Sequence, residues 1–366
     1  MLKKQETRYK NQHILITGGC GFMGRHLSAY FLYREGVVTV VDDLSLGIHP
    51  NKWLPTFLKL SSSKENKKIW KNKNLKTQFI FYHQNILHYF LNKVEKLKFD
   101  IVIHLAAVVG GRAMIEENLL RVGIDIAIDS LFFDWLVTLH YKPKKVVYAS
   151  SSSIYPIHLQ TRKIRKALKE KDVDFAKDFI GKPDLTYGWS KLTGEYLARI
   201  AWDKYKQNII IMRPFSGYGE DQDLSYPVPS LMSQVAHKKN PVKVWGTGNQ
   251  GRDFIHISDC VRAYELLLKQ ETDKLIVSNL GSGKLTTFNE LIHLAVKTGG
   301  YKPKIKPLID KPVGVQYRYA DMKRSSLYKL GWRQLITLRE GLTRVIAFIC
   351  SKDKNLKKLY ESYYMH

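Results

Sequence analysis

The chain has 366 residues, and its hydrophobic fraction of 44% excludes an intrinsically disordered protein. Its 59 Lys and Arg residues against 33 Asp and Glu residues give a formal net charge of +26, which favours anionic partners. No apolar run reaches the roughly 18 to 20 residues that span a bilayer, and the N-terminus lacks the apolar core of a signal peptide. The scattered cysteines Cys20, Cys260 and Cys350 indicate reduced thiols, so we expect a cytoplasmic protein.

The first third of the chain alternates short apolar runs, typical of buried strands, with amphipathic stretches. The predicted strands are His13–Thr17, Val37–Val41, Phe79–Tyr82, Ile101–Leu105 and Val146–Ala149. Helices are predicted over Phe22–Arg34 and Asp125–His140, the second because apolar residues recur there at helical spacing. Such alternation predicts an α/β fold in which parallel βαβ units form a doubly wound sheet.

The later part of the chain is less regular. Residues 44–76 are predicted to be a long surface insertion, and residues 156–185 a second irregular stretch. A helix from about residue 186 and a strand over Ile209–Met212 follow. After Arg213 the chain turns to glycines, prolines and short elements, which predicts a smaller second domain.

A glycine-rich turn follows the first predicted strand. Thr17 leads into Gly18, Gly21 and Gly24, and a helical pattern then begins. Glycines let backbone N–H groups approach a pyrophosphate, and the helix N-terminus adds partial positive charge. Asp42 ends the second strand, 24 positions after Gly18 (42 − 18), where a carboxylate accepts hydrogen bonds from the adenosine ribose and repels a 2′-phosphate. This pattern predicts NAD rather than NADP as the cofactor.

A tyrosine and a lysine are spaced four residues apart at Tyr187 and Lys191, so on a helix they lie on one face. A nearby ammonium favours the phenolate, and we expect Lys191 to move the pKa of Tyr187 from about 10 toward the working range. Such a phenol can take a proton from an alcohol as hydride leaves the same carbon. We therefore predict that Tyr187 is the catalytic base.

These motifs resemble those of the short-chain dehydrogenase/reductase superfamily. The turn over residues 17–24 is similar to its T-G-x-x-G-x-x-G turn. The sequence DDLS at 42–45 resembles the ribose-binding segment of the extended, nucleotide-sugar branch, and HLAA at 104–107 resembles the fourth strand of that branch. The resemblance implies an NAD-dependent nucleotide-sugar epimerase or dehydratase.

The resemblance also implies two domains. A Rossmann-type NAD-binding domain is expected over residues 1–215, with a return segment near 252–262, and a smaller α/β nucleotide-sugar domain over residues 216–366. The implied cofactor contacts lie at strand ends and at the Tyr-Lys pair. They are Gly18, Gly21, Phe22, Met23, Gly24, Asp42, Asp43, Ser45, Asn85, Ile86, Leu105, Ala106, Ala107, Tyr187 and Lys191. Asn85 stands where the family has an adenine-contacting aspartate, and its amide oxygen can still accept that hydrogen bond.

Four serines, Ser150 to Ser153, follow the fifth predicted strand. Alignment on the flanking tyrosines places the catalytic Ser or Thr of the family at Ser151. The implied catalytic set is therefore Ser151, Tyr187 and Lys191, and Lys191 is also implied in binding the nicotinamide ribose. Ser153 falls where family members differ by reaction.

The resemblance links further residues to the substrate. Residues 245–256 resemble the G-x-G-x-x-x-R-D-F-x-H segment, in which Arg252 is implied to bind the substrate diphosphate. Arg318 is implied as the second diphosphate arginine, and Arg112 lies near the substrate-pocket arginine of UDP-glucuronate 4-epimerases. Ser216 replaces the asparagine of the R-P-x-N-x-Y-G turn. The implied substrate contacts are Arg112, Ser153, Ser216, Arg252 and Arg318.

The serine run narrows the reaction by exclusion. The 4,6-dehydratases carry Asp-Glu after the catalytic Ser or Thr, whereas Ser152 and Ser153 stand here and cannot act as carboxylate acid and base. Residues 109–111 and 153–156 resemble GDP-mannose 3,5-epimerase and GDP-fucose synthase, but Ser153 replaces their cysteine and is a far weaker acid. C4 epimerisation through a 4-keto intermediate needs no further acid or base and is our leading hypothesis.

Three alternatives stay open: a 4-keto reductase, a 4,6-dehydratase and, from a different class, a non-catalytic basic protein that binds NAD and RNA. Intact Tyr187 and Lys191 argue against the last, and the chain shows no nucleic-acid-binding motif. The expected partner is a GDP- or UDP-linked sugar, and the resemblance implies a homodimer through the Tyr-Lys helix. No membrane association and no metal site are expected. The nucleotide base and the sugar stay open.

Overall fold

A nine-stranded sheet lies at the centre of the computed structural model, which describes residues 9–92 and 98–365. The strands in this part of the chain are β1 (His13–Thr17), β2 (Val37–Asp42), β3 (Lys59–Lys64), β4 (Lys67–Lys71), β5 (Gln78–His83), β6 (Ile101–His104), β7 (Lys145–Ala149), β8 (Ile209–Pro214), β9 (Ser216–Tyr218), β10 (Val242–Trp245), β11 (Gly251–Arg252), β12 (Phe254–His256), β13 (Ile276–Leu280), β14 (Thr286–Thr287), β15 (Ile305–Leu308) and β16 (Tyr317–Arg318). The α-helices are α1 (Phe22–Leu32), α2 (Ile86–Leu91), α3 (Arg112–Glu117), α4 (Leu119–Val122), α5 (Ile124–Thr138), α6 (Leu185–Asp203), α7 (Pro227–Ala236), α8 (Ile257–Leu268), α9 (Phe288–Gly299), α10 (Ser326–Lys329), α11 (Leu338–Cys350) and α12 (Leu356–Tyr364).

The sheet order is β13-β8-β7-β6-β1-β2-β5-β4-β3, and the strands from β13 to β5 are parallel. These strands are rich in Val and Ile because helices cover both faces, with α1 and α8 on one face and α2, α5 and α6 on the other. Ile14 of β1 pairs with Val38 of β2 and with Ile101 of β6. The strand order reverses at β1, and the crevice beyond its carboxyl end is where such sheets bind ligands.

The doubly wound parallel sheet predicted from the sequence is confirmed. Each of the five strands predicted in the first half is present and differs from the prediction by at most one residue at either end. The two predicted helices are present as α1 and α5, each ending two residues earlier than predicted. The hydrophobic periodicity of the helices and the Val and Ile runs of the strands are local sequence patterns, so they predict these elements directly.

The prediction for residues 44–76 is wrong in one respect. They are not only a surface insertion, because β3 and β4 form a hairpin that extends the sheet by antiparallel pairing of β4 with β5. The indole of Trp70 is buried there, with its ring 5.7 Å from that of Phe79. Lysines surround the tryptophan in β4, so the sequence shows no apolar run that predicts a strand there. In the structure one buried side chain, Trp70, packs the strand against the sheet.

The second half of the chain contributes to both parts of the molecule. β13 returns to the sheet beside β8, and α8 packs against α1. Three other helices of this half, α7, α9 and α11, form a smaller core around Tyr218 and Phe254, whereas α10 and α12 pack into the core that contains α1 and α8. The division into residues 1–215 and 216–366 stays a prediction. The cavity described below is lined by residues from both parts.

Candidate active site

The glycine turn after β1 requires glycine at two positions for steric reasons. Gly18 has φ of 66°, and a Cβ there would lie 2.9 Å from the Cα of Ala106. A Cβ at Gly24 would lie 2.5 Å from the carbonyl oxygen of Gly18. Gly21 precedes α1 and leaves that helix without a side-chain cap. The first N–H groups of α1 are therefore available to an anionic ligand.

Asp42 and Asp43 follow β2 beside this turn. The two carboxylate oxygens of Asp42 accept hydrogen bonds from the backbone N–H of Cys20 at 2.9 Å and of Leu44 at 2.8 Å. Burial raises the pKa of Asp42, and these two N–H donors oppose that rise. Asp43 accepts from the N–H of Ser45 at 2.9 Å. Each oxygen of Asp42 retains acceptor capacity, so the turn and this carboxylate together fit a dinucleotide with ribose hydroxyls.

The remaining predicted cofactor residues line the same sheet edge. Asn85 caps α2 by accepting from the N–H of Leu87 at 2.9 Å, so its side chain serves the fold. The hydroxyl of Thr17 accepts from the backbone N–H of Leu105 and of Ala106, each at 3.2 Å. Four further predicted cofactor residues are positioned by the elements to which they belong. They are Phe22 and Met23 at the start of α1, Ile86 at the start of α2, and Ala107 after β6.

Tyr187 and Lys191 lie on α6, as the spacing predicts, and Ser151 follows β7. Ser151 and Tyr187 line the same cavity, and the hydroxyl of Ser151 lowers the pKa of Tyr187. Lys191 is buried, and its Nζ lies 3.8 Å from Oδ2 of Asp129 on α5. Its ammonium also lies over the ring of Tyr148, 5.1 Å from the centroid. The three residues of the predicted catalytic set therefore come together, and a carboxylate supports the lysine.

The expected fall in the pKa of Tyr187 is wrong for this structure. Burial raises that pKa above its ordinary value, while the ammonium of Lys191 and the hydroxyl of Ser151 lower it only in part. The carboxylates of Asp125 and Asp129 raise it further. A sequence pattern shows the lysine four residues away, but it does not show two buried anions that offset its charge.

Asp129 is the centre of a buried polar network that the sequence did not indicate. Its Oδ2 accepts from the hydroxyl of Tyr148 at 2.5 Å, and its Oδ1 lies 3.1 Å from Nε2 of His104. Nδ1 of His104 is in turn 2.7 Å from the hydroxyl of Thr17. The network therefore joins Lys191 to the strand ends that carry the predicted cofactor contacts. A carboxylate between apolar helix residues was the one available signal in the sequence.

Asp125, one turn earlier on α5, is also buried. Its Oδ1 accepts from the backbone N–H of Val108 at 2.6 Å. Its Oδ2 has no hydrogen-bond partner among the described residues. Burial raises the pKa of Asp125 to about 6, although Lys191 opposes that rise.

The four serines have different partners. The hydroxyl of Ser150 donates to Oε1 of the buried Glu195 at 2.6 Å, so Ser150 has a structural role. Ser152 is buried at the start of a single 3₁₀ turn. The hydroxyl of Ser153 accepts from that of Ser151 and from Nη1 of Arg318, both at 3.2 Å. Ser151 and Ser153 are thus joined to each other, and Ser153 is joined to a predicted substrate arginine.

A cavity of about 520 Å³ opens beside these serines. It is lined by Ser151 and Tyr187 of the predicted catalytic set. All five predicted substrate residues line it as well; they are Arg112, Ser153, Ser216, Arg252 and Arg318. The lining also includes residues that the sequence did not single out, among them Gln222 and Trp245. The apolar and aromatic walls with convergent polar groups are typical of a small-molecule site.

Two of the arginines share one carboxylate. Nη1 of Arg112 lies 3.0 and 2.9 Å from the two oxygens of Asp184, and Nη2 of Arg318 donates to the same carboxylate at 2.7 Å. Burial would raise the pKa of Asp184, but Arg318 and Arg112 hold it below its usual range. Asp184 directly precedes α6, so a helix-start aspartate was its only sequence signal. The pairing keeps Asp184 ionised and fixes both arginines.

Arg252 is held differently. Its guanidinium donates to the backbone carbonyls of Gly251 and Val313, each at 2.8 Å, and it has no carboxylate partner among the described residues. Burial, with the nearby charge of Arg318, lowers the pKa of Arg252 to about 9. Burial destabilises the charged form of a guanidinium that has no carboxylate partner, so a bound anion stabilises such a group strongly. The arginine cluster therefore suits a phosphate-containing ligand.

The charge of the cavity wall limits its chemistry. Among the described residues that line the cavity, Asp184 is the single carboxylate, and two arginines hold it. In the same part of the chain, no group of three His, Cys, Asp or Glu side chains could hold a metal ion.

No helix over residues 9–92 and 98–365 is long and apolar enough to cross a membrane.

Residues 14–281 match the sequence family described as the NAD dependent epimerase/dehydratase family. This chain belongs to that family. Membership of the NAD-dependent epimerase/dehydratase family confirms the predicted superfamily and the NAD cofactor. The glycine turn and Asp42 are the features of the fold that fit this cofactor.

Relatives within the family include both named reactions. The UDP-glucuronate 4-epimerase of Thermodesulfobacterium geofontis is 27% identical over 339 residues, which cover 91% of this chain and 95% of that protein. The dTDP-D-glucose 4,6-dehydratase of Bos taurus is 25% identical over 356 residues, which cover 94% of this chain and 91% of that protein. Sequence similarity alone therefore leaves the choice between epimerase and dehydratase to the residues of the site.

Solved structures share the fold. The UDP-glucuronic acid 4-epimerase of Bacillus cereus, in complex with UDP-glucuronic acid and NAD, superposes with a TM-score of 0.70 at 24% identity. The match covers 92% of this chain and 99% of that one. The predicted α/β fold with its Rossmann-type sheet is thus confirmed, and the match extends over nearly the whole chain.

Proposed function

We propose that this chain is an NAD-dependent nucleotide-sugar 4-epimerase. One observation carries the proposal. The cavity wall holds a Ser-Tyr pair beside a buried lysine, but its single carboxylate among the described residues, Asp184, is bound by two arginines. Such a site can take one proton from a sugar hydroxyl and return it, and its described lining offers no free carboxylate as a second acid or base.

The roles of the catalytic residues follow from their positions. When bound, NAD⁺ would accept a hydride from C4 of the sugar and give it back. Tyr187 takes the proton of the C4 hydroxyl as the C4–H bond breaks, which leaves a ketone, and returns that proton when the ketone is reduced on its other face. Ser151 lies beside Tyr187 in the cavity wall and orients the sugar oxygen. Lys191 offsets part of the burial that disfavours the phenolate.

Other reactions of related enzymes need groups that this cavity wall lacks. Dehydration across C5 and C6 needs a free acid and base, and Ser152 and Ser153 occupy those positions. Epimerisation at C3 and C5 needs an acidic group such as a thiol, but the hydroxyl of Ser153 is held by Arg318 at 3.2 Å. A reductase would use the same three catalytic residues and differs in releasing the oxidised cofactor.

We propose a UDP-linked sugar as the first substrate class to test, because the epimerase relatives are named for UDP sugars. In this proposal Arg252 and Arg318 bind the diphosphate, while Arg112 and Ser216 face the sugar. GDP-linked sugars are the alternative, since the cavity wall by itself does not discriminate the base. The product would supply carbohydrate biosynthesis in the cytoplasm.

We also propose a homodimer through α4, α5 and α6. Large apolar side chains are exposed on these helices, including Leu120 at 94%, Tyr196 at 53% and Trp189 at 48%. Exposed apolar side chains on three helices that pack against one another are typical of a protein interface. Sedimentation of the wild type and of a Leu120→Asp, Trp189→Asp variant tests the proposal, and a monomeric wild type would contradict it.

The experiment that tests the reaction is incubation of the protein with NAD⁺ and a panel of UDP and GDP sugars in D₂O, followed by NMR. We expect interconversion of C4 epimers, with no solvent deuterium on carbon. Deuterium at C3 or C5 would show a different reaction, and a 4-keto-6-deoxy product would show a dehydratase. In a second incubation with NADH and a nucleotide-linked 4-keto sugar, net consumption of NADH would show a reductase.

A further inference from the structure

The last helix, α12, carries three tyrosines that reach two distant parts of the chain. The hydroxyl of Tyr360 donates to Oδ2 of Asp221 at 2.6 Å and accepts from Nε of Arg25 at 3.0 Å. Both Tyr360 and Tyr364 are buried. α12 is thus joined at once to α1, which follows the glycine turn, and to the segment after β9.

His26 and Arg25 complete this junction. Nδ1 of His26 is 2.7 Å from the hydroxyl of Tyr364, and Nε2 is 2.8 Å from Oδ1 of Asp221. Nη2 of Arg25 donates to Oδ2 of Asp221 at 2.8 Å. The carboxylate of Asp221, 1% exposed, is therefore held by three side chains from two helices. A buried polar network with every member satisfied favours a single geometry.

A second contact secures the preceding residue. The hydroxyl of Tyr363 donates to Oε1 of Glu220, and Oε2 of Glu220 lies 3.2 Å from Nε2 of His256. Burial would raise the pKa of Glu220, but the hydrogen bonds from His256 and Tyr363 hold it below its usual range. The carboxylates of Glu220 and Asp221 are thus ionised and anchored on α12.

The same junction reaches the cofactor turn. Nη1 of Arg25 donates to the carbonyl of Cys20 at 2.9 Å. The N–H of Cys20 donates in turn to Asp42, the predicted ribose contact, at 2.9 Å. Tyr360 therefore lies two hydrogen-bonded steps from the glycine turn, through Arg25 and Cys20.

The anchored segment continues into the substrate cavity. Gln222, Ser225 and Tyr226 line the cavity just beyond Asp221. The far end of this segment packs against Gly111, where a Cβ would lie only 2.6 Å from the carbonyl oxygen of Ser225. Residues 220–226 are therefore fixed at one end by α12 and at the other by the loop that precedes Arg112.

We propose that α12 is a clasp that positions residues 220–226 as one wall of the substrate cavity, with Tyr360 and Tyr364 as positioning residues. This proposal rests on the proposed function only for the identity of the ligand that contacts this wall. The hydroxyls act through Asp221 and do not touch the ligand. Their loss would loosen the wall while the catalytic set on α6 and β7 stays in place.

Hydrogen exchange of the full-length, NAD-loaded protein without substrate tests the positioning directly. In Tyr360→Phe, Tyr364→Phe and the double variant, amides of residues 219–226 are expected to exchange faster, by about ten-fold in the double variant. Ser362→Ala, on the exposed face of α12, and Tyr301→Phe, whose hydroxyl donates to the carbonyl of Lys239 at a distant site, are the matched controls and leave this segment unchanged.

Steady-state kinetics with a nucleotide sugar that the wild type converts test the consequence for the site. The double variant is expected to raise KM by about ten-fold and to change kcat by less than about two-fold, because the wall binds the ligand and the catalytic set is untouched. A purely structural role would instead lower the folded fraction and leave KM unchanged.

The outcomes separate this proposal from the proposed function. Unchanged exchange over residues 219–226, or acceleration spread evenly over the chain, overturns the clasp. Accelerated exchange with unchanged KM also overturns it. A wild type that converts no nucleotide sugar would overturn the proposed function, whereas the exchange pattern would still decide whether α12 positions this segment.

Discussion

Nζ of Lys191 lies 3.8 Å from Oδ2 of Asp129, and both side chains are almost fully buried. The carboxylate holds the ammonium in place and at the same time offsets the charge that Tyr187 depends on. Burial would lower the pKa of Lys191, but Asp129 and Tyr187 raise it above its ordinary value. The family resemblance implies the lysine and does not imply this counter-ion.

Asp129→Asn is expected to move the acid limb of the pH–rate profile to lower pH. The carboxylate raises the pKa of Tyr187, so its removal makes the phenolate form at lower pH. Breaking the buried pair should also lower the free energy of unfolding by about 3 kcal/mol. The profile of kcat/KM and urea unfolding measure the two effects. Tyr148→Phe removes one hydrogen bond and keeps the charge, so a limb that moves equally in Tyr148→Phe would contradict this account.

Asp125 should make the protein less stable as pH rises from about 4 to 6. Its pKa is about 6 in the folded protein against 3.8 for an unperturbed aspartate, so within this window the folded chain binds a proton that the unfolded chain has lost. The ionised, buried carboxylate costs about 3 kcal/mol above this window. Asp125→Asn should therefore raise the free energy of unfolding at pH 8 and have little effect near pH 4. Urea unfolding at both values measures it, and an equal effect at the two would rule out this assignment.

Tyr187→Phe should abolish turnover while NAD remains bound. The ring keeps its packing, but no group remains to take the proton from the sugar hydroxyl. We expect a loss in kcat of at least about 100-fold. NAD content is measured after release from the protein, and turnover by NMR. A fully active variant would exclude Tyr187 as the base.

Arg252→Gln should weaken substrate binding with a smaller effect on kcat. A lost charge-assisted hydrogen bond to a phosphate is worth about 2 kcal/mol, or roughly 30-fold in KM. Arg262→Gln removes the same charge from the surface, where Arg262 pairs with Asp259, and serves as the matched control. If both variants raise KM equally, the effect comes from net charge and Arg252 is not a phosphate ligand.

Gly18→Ala should prevent NAD binding. Its φ of 66° is unfavourable for alanine, and the added Cβ would meet the backbone of Ala106 at 2.9 Å. Gly300→Ala is the matched control, since it has φ of 65° and nothing within 4 Å of an added Cβ. Fluorescence titration with NADH measures binding. Equal affinity in the two variants would show that the turn does not cradle the cofactor.

Local spacing in the sequence determined the parallel sheet, the glycine turn and the pair Tyr187 and Lys191. Each of these features depends on residues within a few positions of one another. Hydrophobic periodicity, the glycines of the turn and the spacing of residues on a helix therefore predict them from the sequence. The four serines excluded two reactions for the same reason, because their identities are fixed by the chain alone.

Only the tertiary structure decided the electrostatics of the site. Asp125 and Asp129 approach Lys191 across two helices, and Asp184 meets Arg318 from 134 positions away in the chain. Burial and the sum of such distant charges set a pKa, and neither follows a period in the sequence. The sequence therefore identified which residues take part, and the fold decided how strongly each is charged and what holds it in place.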